Sequence, residues 1–160
     1  IENRDLLIDK NKQELKAHGN VEFPFRIGYE DIWQYYNGKF ACHWHKEVEF
    51  TYVYQGKMRY QVNDKIYELK KGQCLFINAN TFHRGEHINK EECKYFAMTF
   101  NIIFANEEEL IYKKYVLPVI YSKNLSSFVC LPENKLEKEN NKTSKVILIN
   151  VTEDRIYFMN

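Results

Sequence analysis

The stretch that decides the fold of this chain is HWHKEVEFTYVYQG, residues 43–56. It is rich in β-branched and aromatic residues and ends in a glycine, as strands do before a turn. Successive side chains of an extended segment point to opposite faces, so odd-numbered positions share one face. The sequence therefore predicts a strand that presents His43, His45 and Glu49 on the same side, with Val48 and Phe50 on the other.

A second stretch, GQCLFINANTFH, runs from residue 72 to residue 83 and supplies a further imidazole, that of His83. Imidazole and carboxylate groups are ligands for Zn, Ni, Fe and Mn. We therefore predict that His83 meets His43, His45 and Glu49 in one cavity as the fourth donor. Three roles for such a cluster stay open: it coordinates a divalent metal, it contacts an organic effector, or it is a structural hydrogen-bond network.

Other polar residues are candidates for the rim or lining of the same cavity. Thr51 continues the parity of Glu49 and is predicted to line it. Arg26 is able to meet an anionic effector if its side chain points inward, and is otherwise an exposed cation. His87 is interpreted as a surface loop residue and His18, beside a glycine, as the end of a short helix.

Short runs rich in Val, Ile, Phe and Tyr, separated by Gly, Asn, Asp or Lys, continue on both sides of these stretches and predict an antiparallel β jelly roll over about residues 21–101. After it, three acidic residues precede an apolar run, which predicts a helix within 106–117 that ends or kinks at Pro118. The predicted organisation is an N-terminal arm or short helix (1–20), a β-barrel (21–105), a helical segment (106–132), and a polar linker and tail (133–160).

Composition excludes several classes of function. The chain has 160 residues, 44% of them apolar, and its 23 basic and 22 acidic residues leave a net charge of +1, so no global field attracts nucleic acid. The four cysteines form no CxxC pair, so we expect them to be reduced thiols. No apolar run is long enough for a membrane span and no signal peptide is evident, so we expect a cytoplasmic protein without membrane contact.

The two stretches carry a family resemblance. The spacing His-x-His-x3-Glu-x6-Gly from His43 to Gly56 resembles the first cupin motif, and residues 72–83 resemble the second, with Asn78 and Asn80 where that motif usually has Pro and Gly. Over about residues 13–131 the chain is similar to the N-terminal cupin domain of AraC-type bacterial transcription regulators. This resemblance implies a double-stranded β-helix, or jelly roll, with one or two C-terminal helices.

The resemblance also implies a function. We expect an effector-sensing and dimerisation domain that is not an enzyme, binds a sugar or related metabolite, forms a homodimer, and holds at most a divalent transition metal (Zn, Ni, Fe or Mn). The helix-turn-helix half of such regulators is not recognisable in the sequence, so we expect no direct DNA binding. The alternatives are a metal-dependent cupin enzyme, such as a sugar isomerase or dioxygenase, in which the same four side chains hold the metal, and a dimerisation module with an empty barrel.

Overall fold

The computed structural model describes residues 5–20, 22–101, 110, 112–130, 148–152 and 155–159. Two short 3-10 turns, a five-residue π-helical turn and one four-residue α-helix, α1 (Leu117–Ile120), join the strands. The first eight strands are β1 (Phe25–Asp31), β2 (Lys39–His43), β3 (Val48–Val62), β4 (Lys65–Lys70), β5 (Cys74–Ile77), β6 (His83–His87), β7 (Cys93–Phe100) and β8 (Ser127–Cys130).

The strands form two antiparallel layers that share β3. In one layer the order is β1-β7-β3-β5-β8, and in the other β2 pairs with β6, β6 with β3, and β3 with β4. The predicted mainly β fold of jelly-roll type is confirmed, although the strand pairs of the described residues leave the sheet open instead of closing it. This arrangement places the start of the first predicted motif, at His43, opposite the end of the second, at His83.

The long strand β3 passes from one layer to the other by way of a bulge and a glycine. Its register with β7 shifts between Val53 and Gln55, and Gly56 follows with φ +74°. A bulge inserts one extra residue, so the inward face changes parity. Glu49 and Val53 point inward before the bulge, whereas Tyr60 points inward after it, and all three are buried.

The main core fills the space between the layers, and a second apolar cluster covers the outer face of the five-stranded layer. Val48 and Phe50 belong to this outer cluster, where Val119 of α1 packs against them. The buried amide of Asn78 donates hydrogen bonds to the carbonyl oxygens of Val119 (2.7 Å) and Leu125 (2.9 Å). Asparagine at this motif position therefore fastens the helical segment to the end of β5.

Several segments differ from the sequence-based prediction. Of the two forms predicted for residues 1–20, an arm or a short helix, the described residues 5–20 form the arm and contain no helix. Of the predicted helix at 106–117, residues 106–109 and 111 lie outside the described residues, whereas 110 and 112–117 are helical and the helix continues to residue 120. Pro118 does not end it, because it lies in the first turn of α1, where its missing N–H is not needed. Residues 127–130, predicted within the helical segment, form β8 because they pair with β5.

The predicted polar tail also contains strands. Strands β9 (Leu148–Thr152) and β10 (Arg155–Met159) pair with each other in antiparallel register. The polar stretch at 131–147 lies outside the described residues. Over the described ranges, no helix has the length and apolar character needed to cross a bilayer.

The cysteines carry free thiols, as the sequence predicts. Cys74 and Cys93 are buried, whereas Cys42 and Cys130 are half-buried. Burial, with a smaller contribution from the charge of Asp31, raises the pKa of the Cys93 thiol to about 12. A thiol held protonated in this way is a poor nucleophile, so Cys93 acts as an apolar core residue.

Candidate functional site

The structure brings together the four side chains that the two motifs single out. The ring centroid of His83 lies 4.2 Å from that of His43 and 5.0 Å from that of His45. Glu49 places its Oε2 atom 3.1 Å from His45 Nε2 and 3.8 Å from His83 Nε2. All four residues are at most 6% exposed. They form one buried cluster, which we call the histidine cluster.

The histidine cluster forms at a corner between the two layers. Strand β2 ends at His43, the backbone bends at residues 46 and 47, and β3 begins at Val48. His45 therefore lies in the corner and not on a continuous strand, so the parity that predicted its direction does not apply there. His83, the first residue of β6, lies directly opposite His43 in the β2–β6 pair. Pairing between β2 and β6 thus sets the distance between these two rings.

Backbone carbonyls fix the orientation of all three rings. Each Nδ1 atom donates to a carbonyl oxygen two residues away: His43 to Ala41 (2.9 Å), His83 to Thr81 (2.9 Å) and His45 to Glu47 (3.1 Å). A carbonyl only accepts, so Nδ1 carries the proton and, in a neutral ring, Nε2 keeps its lone pair. The three Nε2 atoms face one another, and this is the arrangement that metal-binding histidines use.

Burial separates the protonation states of the cluster. It lowers the pKa of His43 and, together with the charge of His43, holds the pKa of His83 well below its usual range. Burial acts in the same direction on His45, but the hydrogen bond and charge of Glu49 outweigh it and raise the pKa of His45. For Glu49 burial favours the neutral acid, yet the hydrogen bond from His45 and the histidine charges prevail and lower its pKa.

One atom of the cluster is left without a hydrogen bond. His83 Nε2 is buried and, within the described part of the chain, has no hydrogen-bond partner. A buried polar atom without a partner is rare and destabilising by about 1–3 kcal/mol. A divalent cation bound by the three Nε2 atoms and the Glu49 carboxylate would satisfy this atom, so the residues present fit a metal ion.

Two further side chains hold the carboxylate of Glu49. The hydroxyl of Thr51 donates to Glu49 Oε1 over 2.6 Å, and the phenol of Tyr60 donates to the same oxygen over 3.0 Å. Thr51, predicted to line the cavity, is fully buried beneath the carboxylate instead. Tyr60 was missed by the parity rule because the β3 bulge reverses which positions face inward.

Replacing Thr51 by valine should destabilise the protein by about 1–3 kcal/mol, because the change preserves shape but removes a donor to a buried carboxylate. Urea denaturation of the metal-free protein measures this effect. Thr99→Val is the comparison variant, because it also removes a buried hydroxyl, but one that contacts His18 and not Glu49. An unchanged midpoint for Thr51→Val would show that the hydroxyl does not stabilise Glu49.

A small cavity adjoins the histidine cluster. His43 and Glu49 line one part of it, and Arg26 reaches it from β1. The cavity leaves about 40 Å³ for the centres of water molecules, which is room for about two or three waters. A metabolite therefore enters only if the surrounding side chains move.

Two residues of the N-terminal arm also reach this cavity. Glu14 and His18 are each 8% exposed. His18 Nε2 lies 3.0 Å from Glu14 Oε2, and the same oxygen lies 3.7 Å from His43 Nε2. The interpretation of His18 as a helix end is therefore wrong. No local pattern marks either residue, because their contacts come from an arm that folds back over the barrel.

The remaining candidates lie outside the cluster or at its edge. His87 is the last residue of β6, half-buried, and stacks on Trp33 with ring centroids 4.9 Å apart. It is thus a strand residue and not a loop residue. Glu47 lies at the rim, its carboxylate 3.6 Å from His45 Nδ1.

The sequence of this chain is similar to those of known proteins. Residues 31–116, more than half of the chain, match the family model described as the AraC-like ligand binding domain. The HTH-type transcriptional regulator YdeC of Bacillus subtilis (strain 168) is 34% identical over 122 residues, which are 76% of this chain and 42% of that protein. The chain thus spans less than half the length of this curated relative.

Solved structures show partial similarity. A cupin-2 domain protein of Shewanella frigidimarina is 22% identical, with a TM-score of 0.41 over 49% of this chain and 72% of that one. The cupin domain of Schizosaccharomyces pombe Cnp3 is 16% identical, with a TM-score of 0.43 over 50% and 58%. At TM-scores below 0.5 these likenesses say nothing about the site. The family match over residues 31–116 shows which family this is: the chain belongs to the AraC-like ligand-binding domains, the sensing domains of AraC-type transcription regulators.

Proposed function

We propose that the domain binds a divalent transition metal in the histidine cluster and senses a sugar or related polar metabolite next to that metal. The observation that carries the proposal is the buried Nε2 atom of His83, which has no hydrogen-bond partner among the described residues and faces His43, His45 and Glu49. The metal, when bound, supplies a Lewis-acidic centre for hydroxyl or carboxylate oxygens of the metabolite.

The residues of this chain supply the remaining recognition. Arg26 and Lys16 line the cavity with positive charge, and Glu30 lines it with a carboxylate to which Tyr35 donates over 3.1 Å. A ligand with several hydroxyl groups or one acidic group matches this mixture of donors and acceptors. The proposed ligand class follows from that chemistry.

Sensing requires that the metabolite prefers one arrangement of the protein. The cavity is too small for a metabolite in the structure described, so a ligand selects a state in which the arm or the lining side chains have moved. We propose that the domain forms a homodimer in the cytoplasm and that this shift reaches the DNA-binding part of a regulator. A metal-dependent enzyme remains the second candidate, favoured only by the same histidine cluster.

Elemental analysis of the purified chain, followed by a thermal-shift screen of metals and sugars, tests the binding proposal. About one transition-metal ion per chain is expected. A ligand at about a hundred times its Kd should raise the Tm by roughly 5–10 °C for a domain of this size. Absence of bound metal after loading with Zn²⁺, Ni²⁺ and Mn²⁺ would contradict the proposed metal site. A Tm that no sugar changes would contradict the proposed ligand class.

The regulatory part has its own prediction. These 160 residues alone should not retain operator-length DNA in a mobility-shift assay at physiological salt, because the charge is nearly balanced. Fused ahead of a helix-turn-helix domain, the chain should change operator affinity about 5- to 150-fold when the metabolite binds. A metabolite that is converted chemically, with operator affinity unchanged, would favour the enzyme.

A further inference from the structure

The N-terminal arm is folded onto the rim of the histidine cluster. Its backbone exchanges two hydrogen bonds with Trp44, from Glu14 N to Trp44 O (2.9 Å) and from Trp44 N to Lys12 O (3.0 Å). The Trp44 indole donates to Asn11 O over 3.0 Å, and Leu6 packs against the main core. Because Trp44 lies between two cluster histidines in the chain, these contacts place Glu14 at the cluster.

The arm has a shape of its own that determines where Glu14 points. Ile8 pairs with Glu14 across a tight turn, and Asp9 Oδ1 accepts from the backbone N–H groups of Asn11 and Gln13, both over 2.8 Å. Both of these hydrogen bonds of Asp9 lie within the arm and involve no histidine. It therefore offers a way to loosen the arm without touching the cluster.

The donor atoms of the arm and of the cluster lie at the separations of a single coordination sphere. The atom pairs His43 Nε2–Glu14 Oε2, His45 Nε2–Glu49 Oε2 and His83 Nε2–Glu49 Oε2 are 3.7, 3.1 and 3.8 Å apart. Ligand atoms bound at about 2.1 Å in an octahedron are about 3 Å apart when adjacent and about 4 Å apart when opposite. The three separations lie between these two values, so small shifts of the side chains suffice to place the atoms around one ion.

Two overlapping groups of ligands point to one ion. His43, His45 and His83 offer nitrogens that all lie within 4.8 Å of one another, and the carboxylate oxygen of Glu14 lies within the same distance of nitrogens of His18 and His45. His45 belongs to both groups, but its Nδ1 is committed to a backbone carbonyl, so only Nε2 is available. One nitrogen lone pair binds one metal ion. The two groups are therefore parts of one site.

We propose that Glu14 of the N-terminal arm is a ligand of the metal ion in the histidine cluster, so that docking of the arm and binding of the metal stabilise each other. His18 is the positioning residue, because it joins Glu14 Oε2 to the hydroxyl of Thr99, each over 3.0 Å. This inference rests on the proposed metal site. Coupling of this kind is reciprocal: the factor by which the docked arm raises metal affinity equals the factor by which bound metal favours the docked arm.

The test uses the full chain and Zn²⁺ alone, with affinity measured by competition with a chelator. Glu14→Gln keeps the size of the side chain and an oxygen donor but removes the negative charge, so it weakens a ligand without deleting it and should lower Zn²⁺ affinity about 10- to 100-fold. Glu22→Gln, an exposed carboxylate next to the arm, is the matched control and should leave affinity unchanged. Affinity of Glu14→Gln within twofold of the unmodified chain would overturn the proposal.

A second measurement separates a ligand from a merely structural carboxylate. Zn²⁺ should slow hydrogen exchange at the arm amides of Glu14 and Leu15 in the unmodified chain but not in Glu14→Gln. Asp9→Ala, which loosens the arm turn, should weaken Zn²⁺ several-fold although it leaves every ligand in place. Arm exchange that does not respond to Zn²⁺ overturns the coupling.

The outcomes distinguish this inference from the function it rests on. If His83→Leu abolishes Zn²⁺ binding while Glu14→Gln and Asp9→Ala do not alter it, the metal site stands and the role of the arm is wrong. If the unmodified chain binds no Zn²⁺, Ni²⁺ or Mn²⁺, both are wrong. Two ions per chain would show that the two overlapping groups are separate sites, which also contradicts the proposal.

Discussion

Replacing His83 by leucine should lower metal affinity at least about a hundredfold while the metal-free protein keeps its stability to within about 1 kcal/mol. Loss of a ligand should exceed the 10- to 100-fold effect typical of the residues that orient ligands. Leucine removes the hydrogen bond from Nδ1 to Thr81 O, but it also removes the buried Nε2 atom that has no partner. These two contributions to stability have opposite signs and similar size.

Chelator competition measures the affinity of this variant, and urea denaturation of the metal-free protein measures its stability. His87→Leu is the matched control, since His87 is half-buried on the same strand but stacks on Trp33 outside the cluster. Its metal affinity should stay within about twofold of that of the unmodified chain. Equal losses of affinity from both substitutions would mean that the fourth ligand is assigned wrongly. A loss of several kcal/mol for metal-free His83→Leu would assign His83 a structural role.

Gly56→Ala should destabilise the protein by about 3–5 kcal/mol. Gly56 has φ +74°, a conformation that is unfavourable by about 1–2 kcal/mol for other residues, and a Cβ atom there would collide with the carbonyl oxygen of Glu92. The atoms that this Cβ would meet belong to the backbone of Glu92 and Cys93, which cannot rotate away. Strands β3 and β7 must therefore separate to make room. The bend of β3 that carries it between the layers would be lost or strained.

Gly72→Ala is the comparison variant that isolates the backbone strain. Gly72 has φ +85°, yet a Cβ atom there would meet no atom within 4 Å, so only the backbone strain of about 1–2 kcal/mol is expected. The difference between the two variants in urea denaturation gives the free energy of the close approach between β3 and the residues before β7. Equal destabilisation of both variants would contradict the role assigned to Gly56.

Part of the site follows from the sequence because it depends on short-range geometry. His43, His45, Glu49 and His83 lie in two stretches whose spacing predicts the strands, and the strands meet as predicted. For Arg26 the sequence left two directions open, and the structure places it at the cavity. Hydrophobic patterning fixed the mainly β class in the same way, since alternation with a period of two is a local property of the chain.

The tertiary structure alone decided the rest, because it depends on contacts between distant segments. The bulge in β3 turned Tyr60 inward against the parity of Glu49, and no residue type in the sequence marks its position. The arm brought Glu14 and His18 to the cluster through hydrogen bonds to Trp44 and Thr99, which lie 30 to 81 residues further along the chain. Strand formation is encoded locally, whereas the direction of a side chain after a bulge, and the place where an arm docks, are fixed only by the surfaces that pack together.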